Sequence, residues 1–455
     1  MLVFRKYIYQ IIIIILLSLL VFGYLLNKKS SASKKNEISN ILYQLQIRKI
    51  QLNKIQKNLL NNGQNINDLI NKKEISFKKI LENKKFDHLD GYTLSKYTTN
   101  DILFNGNPRA IGTGFIDFYN NDRKLIITTY DGIFAYSKID DLNKFKKIES
   151  NIYTLINYEQ FFYNDQYGIK DILINQNYLY VSYIGIKKDN CYDLKIISSE
   201  LNEDYLNFKL FYQTSSCVDK NNEHEFYPAQ GAGGRMVELD ASNILFTTGE
   251  FRNRPLAQDL TSDFGKILKI NIENKKTDVV SFGHRNPQGL YYSKKFDFIL
   301  STEHGPKGGD EININQNPLL SIKNFGWPIS SYGEHYAKHY SKNKLKAAPL
   351  NKSHKKFGFV EPLRYFVPSI GISQTIPIDQ NDTEFLVGAM GNEIKDQDLG
   401  IHYIKLNKDR KKITDHKYIP LNERVRDMII SKDRKTIVIF LETTSTLAII
   451  KKSNT

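Results

Sequence analysis

Six times along this chain a short polar turn runs directly into an apolar or β-branched stretch, and that repetition limits the folds open to it more than any other feature. The turns are Asn121–Lys124, Asn175–Asn177, Asp240–Asn243, Ser293–Lys295, Asn381–Thr383 and Lys432–Lys435. Each precedes a strand-like run whose markers are Leu125, Leu179, Leu245, Phe298, Phe385 and Ile437, spaced 54, 66, 53, 87 and 52 residues apart. Asn, Asp and Ser close tight turns through their own side chains, and β-branched and aromatic residues suit a pleated surface. Helical periodicity is absent from the region. Four-stranded blades repeated radially give units of this length, so the spacing predicts an all-β fold, a six-bladed β-propeller. A pair of β-sandwiches is the rival, and it accounts less well for the even period. The one long interval holds a Tyr-, Lys- and His-rich stretch from Tyr332 to Phe366, read as a loop insertion on one face.

Composition agrees with strands: 28 Tyr and 26 Phe stand in a chain of 455 residues. The formal charge of +15 is spread from end to end. No helix-turn-helix, zinc-finger or RNA-binding pattern accompanies it, so a diffusely basic surface is expected and nucleic acid is not a partner. His335 and His339 sit i, i+4 without a third ligand nearby, which is a poor zinc pattern. The two cysteines, Cys191 and Cys217, flank two strand-like runs, Tyr192–Leu201 and Asn207–Ser215, joined by a polar turn. An antiparallel hairpin there would bring them opposite one another. Either a disulfide closes its open end, implying an oxidising compartment, or both thiols are free.

The first 85 residues differ in character. Tyr7 to Leu26 carries no charge over a length that spans a bilayer as a helix, so residues 1–30 are expected to be a transmembrane anchor. Ser31-Ala32-Ser33 only weakly resembles a cleavage site. Lys28, Lys29, Lys34 and Lys35 follow the helix and outnumber the basic residues before it, so charge alone does not place the large domain outside. Ile38, Leu45, Leu52, Leu59 and Ile66 recur every seven residues, with Ile41, Ile55 and Leu69 offset by three. Residues 31–85 are therefore expected to be a helical stalk, either a coiled coil that makes a homo-oligomer or an amphipathic helix lying on the domain or the membrane. Residues 86–455 would be the propeller.

The most distinctive blocks lie between Gly231 and Tyr332: Gly283-His284-Arg285-Asn286-Pro287-Gln288-Gly289-Leu290, Glu303-His304-Gly305-Pro306, Gly309-Asp310-Glu311-Ile312-Asn313 and Asn324-Phe325-Gly326-Trp327-Pro328. Gly234-Arg235-Met236, Ala257-Gln258-Asp259-Leu260 before Gly265-Lys266-Ile267-Leu268, Pro368-Ser369-Ile370 and Arg424-Val425-Arg426-Asp427 accompany them. In order and spacing they resemble the soluble quinoprotein glucose/sorbosone dehydrogenases, from about Gly112 to Ile450. The resemblance implies an aldose sugar dehydrogenase that uses pyrroloquinoline quinone (PQQ) and Ca²⁺. Arg285, Asn286, Arg424, Arg426 and Gln166 match cofactor contacts, and a guanidinium suits a planar tricarboxylate both as a fork and as a stacking surface. The carbonyls of Gly305 and Pro306 match the calcium ligands, and Asp310 and Glu311 match carboxylates that hold a second, structural calcium.

The resemblance also marks departures. The family's general-base histidine falls at Gly231, and the acid that orients it falls at Glu250. Glycine takes no proton, so turnover would need a substitute such as His224 or Glu250 itself. Gly391 stands where the family has a cofactor-contacting lysine, and Phe366 where a tryptophan is frequent. Two functions are thus expected from the residues: a membrane-anchored enzyme of the bacterial inner membrane with its propeller in the periplasm, or a propeller that keeps the pocket and binds a sugar, glycan or protein without turnover. In the first, Gly231, Glu250 and Arg285 are the catalytic positions.

Overall fold

The computed structural model describes residues 72–101, 112–130, 132–156, 168–188, 191–222, 230–336, 342–392 and 394–453. The expected anchor, the heptad segment up to residue 71, Gln166, His224 and His339 lie outside them. Among the described residues no helix is long and apolar enough to cross a membrane.

The fold is all-β and propeller-like. Antiparallel strands follow one another in groups of four, each group running first, second, third and fourth strand outward. The six first strands are Gly114–Tyr119, Ile169–Asn175, Gly233–Asp240, Pro287–Ser293, Ile372–Pro377 and Val425–Ile430. They adjoin one another in that order, and the last meets the first. All six marker residues fall on the second strands and are fully buried, in the apolar layers between neighbouring groups. The polar turns join first strands to second strands at one edge of the sheets. At Asn120, Asn121 and Asp122 three successive residues have positive φ, which Asn and Asp tolerate best among residues with a side chain.

Residues 74–85 correct the sequence reading, which gave them to the helical stalk. They form a strand, Glu74–Lys85, that pairs with Tyr92–Thr99 on one side and Lys144–Ser150 on the other. Ile75 and Phe77 alternate into the core and Leu81 packs partly against it, and the lysines around them hide that short period-2 pattern. The strand joins the first and last groups into one ten-stranded sheet.

Cys191 and Cys217 form a disulfide at the open end of the expected hairpin, where Asp219 pairs with Cys191. The insertion leaves the fourth group after the strand Asp310–Gln316. It carries a short helix, Lys342–Ala347, and returns as the strand Arg364–Phe366, which pairs with Asp310–Ile312.

Side chains of the first strands stitch the ring together. Asp117 Oδ2 accepts the Ile174 N–H (2.6 Å), Asp171 Oδ2 the Met236 N–H (2.7 Å) and Asp427 Oδ2 the Ile116 N–H (3.0 Å). Arg235 Nε donates to Gln288 O (3.0 Å), Gln374 Oε1 accepts the Leu290 N–H (3.1 Å), and Ser373 Oγ donates to Val425 O (2.6 Å). Every neighbouring pair of groups thus shares one such bond. Arg235 Nη1 also bridges Asp171 (2.8 Å) and Asp427 (2.7 Å), all three buried.

Burial, against the pull of Arg235, pushes the Asp171 carboxyl up to about 7. A carboxyl raised in the folded state holds its proton more tightly there. Its contribution to stability is therefore full below the ordinary value of 3.8 and is lost as pH rises through about 7. Arg235→Met leaves two buried carboxyls without their cation. The expected cost at neutral pH is about 3–5 kcal/mol in denaturant unfolding, shrinking as the pH is lowered toward 4. A pH-independent loss would contradict this account.

Candidate functional site

Sequence position decides which edge of the fold can carry chemistry. Gly231, Arg285–Asn286 and Arg424 immediately precede first strands, while Glu250, Glu303–Pro306 and Glu442 end or follow second strands. In an antiparallel pair those two ends are neighbours, so all of these residues meet at one edge. The polar turns occupy the other.

Arg285 is held from both sides. Glu303 Oε2 accepts its backbone N–H (2.7 Å), and its Nη1 donates to His304 O (2.9 Å) while the guanidinium lies over the Trp327 ring, 5.4 Å from the centroid. Glu303 in turn accepts from Asn313 Nδ2 (2.9 Å) and pairs with His284 Nδ1 (3.1 Å), whose Nε2 meets Ser281 Oγ (2.8 Å). Burial pushes the Glu303 carboxyl up, but His284 and the Arg285 N–H outweigh it and hold it below the usual carboxylate range. Ser281, His284 and Glu303 have the connectivity of a hydrolytic triad, yet Ser281 and His284 are completely buried, so the chain braces Arg285 rather than meeting a substrate. His304, half-buried, donates Nε2–H to Ile372 O (2.6 Å). Burial lowers its pKa, and Arg285 and Arg426 add to that against Asp310. Arg285, His304, Gly305, Gly309 and Trp327 border a cavity of about 10 Å³, room for a single water.

The fold brings Gly231 and Glu250 to Arg285. The Glu250 N–H donates to Arg285 O (2.9 Å), the Phe251 N–H to Gly231 O (3.3 Å), and the Gly233 N–H to Asn286 Oδ1 (3.0 Å). Gly231 has φ +72°, and a Cβ there would meet nothing within 4 Å except Glu250 Oε1 at 3.7 Å. The position that the resemblance assigns to a base is therefore a gap bordered by a carboxylate.

Arg424 and Arg426 share one acid. Glu442, fully buried, accepts from Arg424 Nε (2.7 Å) and Arg426 Nε (2.5 Å). Arg424 Nη1 is further committed to Met390 O and to Gly391 O (3.0 Å). Burial alone would raise the Glu442 carboxyl, but the two guanidinium groups bring it down to about 2. At Gly391 a side chain would run into the Asp398 carboxylate, so an acid stands where the resemblance expects a lysine. The Nη groups of Arg426 make no hydrogen bond to the described residues.

The expected metal residues separate. Asp310 Oδ1 accepts the Gly305 N–H (3.0 Å), and Oδ2 accepts those of Ile370 and Ile372 (both 3.1 Å). Glu311 points to the other face of its strand, toward His354 Nε2 (3.3 Å) and Asn313 Nδ2 (3.2 Å), and burial raises its pKa. The two carboxylates therefore do not converge on a second calcium, because adjacent strand residues alternate in direction. Among the described residues no group of three or more His, Cys, Asp or Glu could hold a metal ion. Pro306 O accepts from Ser369 Oγ (3.2 Å). Glu442, Asp398, Glu303 and Asn313 had no role in the sequence reading, and Glu311 had a different one. Glu303 and Asn313 stood inside the quoted motifs, whereas nothing local singles out Glu442 or Asp398.

The family model of the glucose/sorbosone dehydrogenases matches residues 116–449. A protein of Synechocystis sp. is 30% identical over 223 residues, 44% of this chain and 50% of that protein. The aldose sugar dehydrogenase of Escherichia coli K12 is 29% identical over 244 residues, 49% of this chain and 60% of that enzyme. The chain thus spans about half the length of the curated relatives it matches. A solved glucose dehydrogenase superposes with a TM-score of 0.59 at 21% identity, covering 76% of this chain and 99% of that one, which bears on the fold alone.

Glu442→Gln tests the arginine clamp. A carboxyl depressed from 4.5 to about 2 stabilises the folded state above 4.5, and that contribution is lost as pH falls through about 2. The variant is expected to be less stable by on the order of 3 kcal/mol at pH 7 and to approach the parent near pH 2. Urea midpoints across that range check it.

Proposed function

The chain belongs to the glucose/sorbosone dehydrogenase family, and from that membership we propose that it is a membrane-anchored aldose dehydrogenase of the quinoprotein type. The six four-stranded groups are its blades, and Tyr7–Leu26 is the anchor, with residues 31–71 as a stalk that can bring copies together. The disulfide supports a periplasmic placement for the propeller, since such bonds persist in oxidising compartments.

The observation that carries the reading is the gathering of Arg285, Asn286, Arg424 and Arg426 at the edge that also holds Gly231 and Glu250. PQQ is a planar tricarboxylate, and the three guanidinium groups, which stand beside the carboxyls of Glu250, Glu303, Asp398 and Glu442, suit an anion of that kind as forks and as stacking surfaces. Arg285, fixed by Trp327 and Glu303, and the Nη groups of Arg426 would hold it, with the carbonyls of Gly305 and Pro306 offered to Ca²⁺. The bound quinone would supply a two-electron hydride acceptor. The chain's own task is to take the proton from the sugar's C1 hydroxyl, and Glu250 borders the gap at Gly231 where a base would stand. Removing a general base typically slows a reaction 10²–10⁴-fold, so slow turnover is expected.

A second reading is favoured by the same two positions. Gly231 lacks a base, and the Asp398 carboxyl stands where a lysine would meet the cofactor. On it the propeller binds a sugar, glycan or partner protein without oxidising it.

Titration of the full chain in lipid nanodiscs with PQQ and Ca²⁺, followed by dye reduction with a panel of aldoses, separates the two. We expect cofactor binding, weak turnover, and an increase of about 10²-fold in Gly231→His, which histidine permits because it is among the residues tolerated at positive φ. Binding without turnover in either form supports the second reading, and absence of binding excludes a quinoprotein.

A further inference from the structure

The insertion brings a basic surface with apolar tips to the rim of the site. Its described residues hold seven lysines and arginines against two acids, Glu334 and Glu361, so the surface is left strongly positive. Glu361 is already committed, accepting from Tyr332 Oη (2.6 Å) and the Lys355 N–H (2.7 Å). Those two bonds set the turn Lys355–Phe357 beside a stack of rings. In it Tyr332 lies between Tyr365 (centroids 3.9 Å apart, planes 6° from parallel) and His354 (5.3 Å, 21°). Lys352 Nζ donates to Gly333 O, next to Tyr332, and the backbone of Glu334 bridges to that of Lys307. Three apolar side chains stand among these lysines and reach solvent: Phe357 (41% exposed), Tyr365 (48%) and Val367 (63%). This surface is continuous with the site, because the Gly309 N–H donates to Phe366 O (2.7 Å) and Gly309 borders the same cavity as Arg285 and His304. The described chain also enters the fold at this edge. Lys72 Nζ (2.6 Å) and the Ser76 N–H (3.0 Å) donate to Asp101, and the Thr99 N–H donates to Ser445 O (3.2 Å) in the turn that follows Glu442.

We propose that this face docks on an anionic lipid surface, so that the edge of the sheets carrying the site lies against a bilayer. Lysines alone would suit any polyanion. Single aromatic and branched side chains standing in solvent between them narrow the choice, because such tips gain by entering the headgroup region of a bilayer. Protein interfaces, by contrast, are depleted of lysine and need a contiguous surface of more than about 1,000 Å². Beside an anionic bilayer each lysine strengthens binding about fivefold. The sequence supplies the bilayer too, since the residues that precede Lys72 include the uncharged stretch Tyr7–Leu26. The inference rests on the proposed anchor for that membrane and goes beyond it: the anchor ties the chain to lipid, and the insertion sets which edge of the propeller faces it.

Fluorescence quenching by lipids brominated in their acyl chains tests it on the full chain in nanodiscs. Trp327, the one native tryptophan, is buried and gives a constant background. Phe357→Trp should lose emission in brominated discs that contain phosphatidylglycerol and keep it in discs of brominated phosphatidylcholine alone. The emission should return at about 1 M salt, where the screening length falls to about 3 Å. Adding Lys352→Gln, Lys355→Gln and Lys356→Gln should abolish the quenching. Tyr178→Trp, at an exposed position on the opposite edge, should stay bright in both discs. In the unsubstituted chain, amide hydrogen exchange across residues 355–367 should slow in the anionic discs alone, which reads the same contact without a new ring. The proposal is overturned if Phe357→Trp is equally bright in both discs, if the glutamine changes leave quenching intact, or if Tyr178→Trp is quenched as strongly. A chain that co-elutes with both discs and is unquenched overturns this proposal alone and leaves the basic face to an acidic protein. Co-elution with the anionic discs only supports the docking face and removes the anchor, and co-elution with neither removes both.

Discussion

Arg235 sits where the fold would otherwise fail. Six first strands converge on the ring, and each carries backbone groups that its own sheet cannot satisfy there. Side chains from neighbouring groups meet that need, three of them aspartates. Three carboxyls in one narrow space, two buried and Asp117 half-buried, repel one another, and loss of solvation pushes Asp117 up to about 8 and Asp171 up to about 7. One guanidinium, forked between Asp171 and Asp427, makes the arrangement tolerable. Arg235 Nη2 also reaches Arg426 O, which links the ring to the strand that carries the site's arginines.

At the site the same physics serves a different end. A cluster of guanidinium groups suits an anionic ligand only if it stays partly unneutralised before the ligand arrives. Glu442 sets Arg424 and Arg426 in place by their Nε atoms, and the Arg426 Nη groups make no hydrogen bond to the described residues. Arg285 is oriented by an uncharged partner, a backbone carbonyl, and by the face of Trp327, so its charge is not cancelled by direct pairing. The acids at Glu250 and Asp398 mark where this chain departs from the family pattern, because both adjoin glycines that lack the expected side chain.

How much could be read beforehand differed from element to element. Most second strands were legible because they are short, apolar and announced by a turn, as in Thr436–Leu441, whereas Tyr178–Lys188 runs well past its apolar start. Glu74–Lys85 was not legible, because only Ile75 and Phe77 are buried, with Leu81 partly so, and its pairing partners lie in two distant parts of the chain. Of the site, Arg285, Asn286 and Gly231 were legible from a motif. Glu442 was invisible, since a single glutamate after a strand acquires meaning only from arginines that the fold places against it. Asp310 and Glu311 looked alike as neighbours in sequence and proved to serve opposite faces of one strand.

The sequence by itself determined the repeat and the family. Alternation, turn residues and motif order are local properties, and a strand's two faces follow from its own period. Tertiary structure decided which charges are neutralised, which edge of the sheets carries chemistry, and that the insertion ends in a rigid ring stack. Each of these depends on distances between residues far apart in sequence. Electrostatic and stacking energies fall steeply with distance, so only the folded arrangement fixes them.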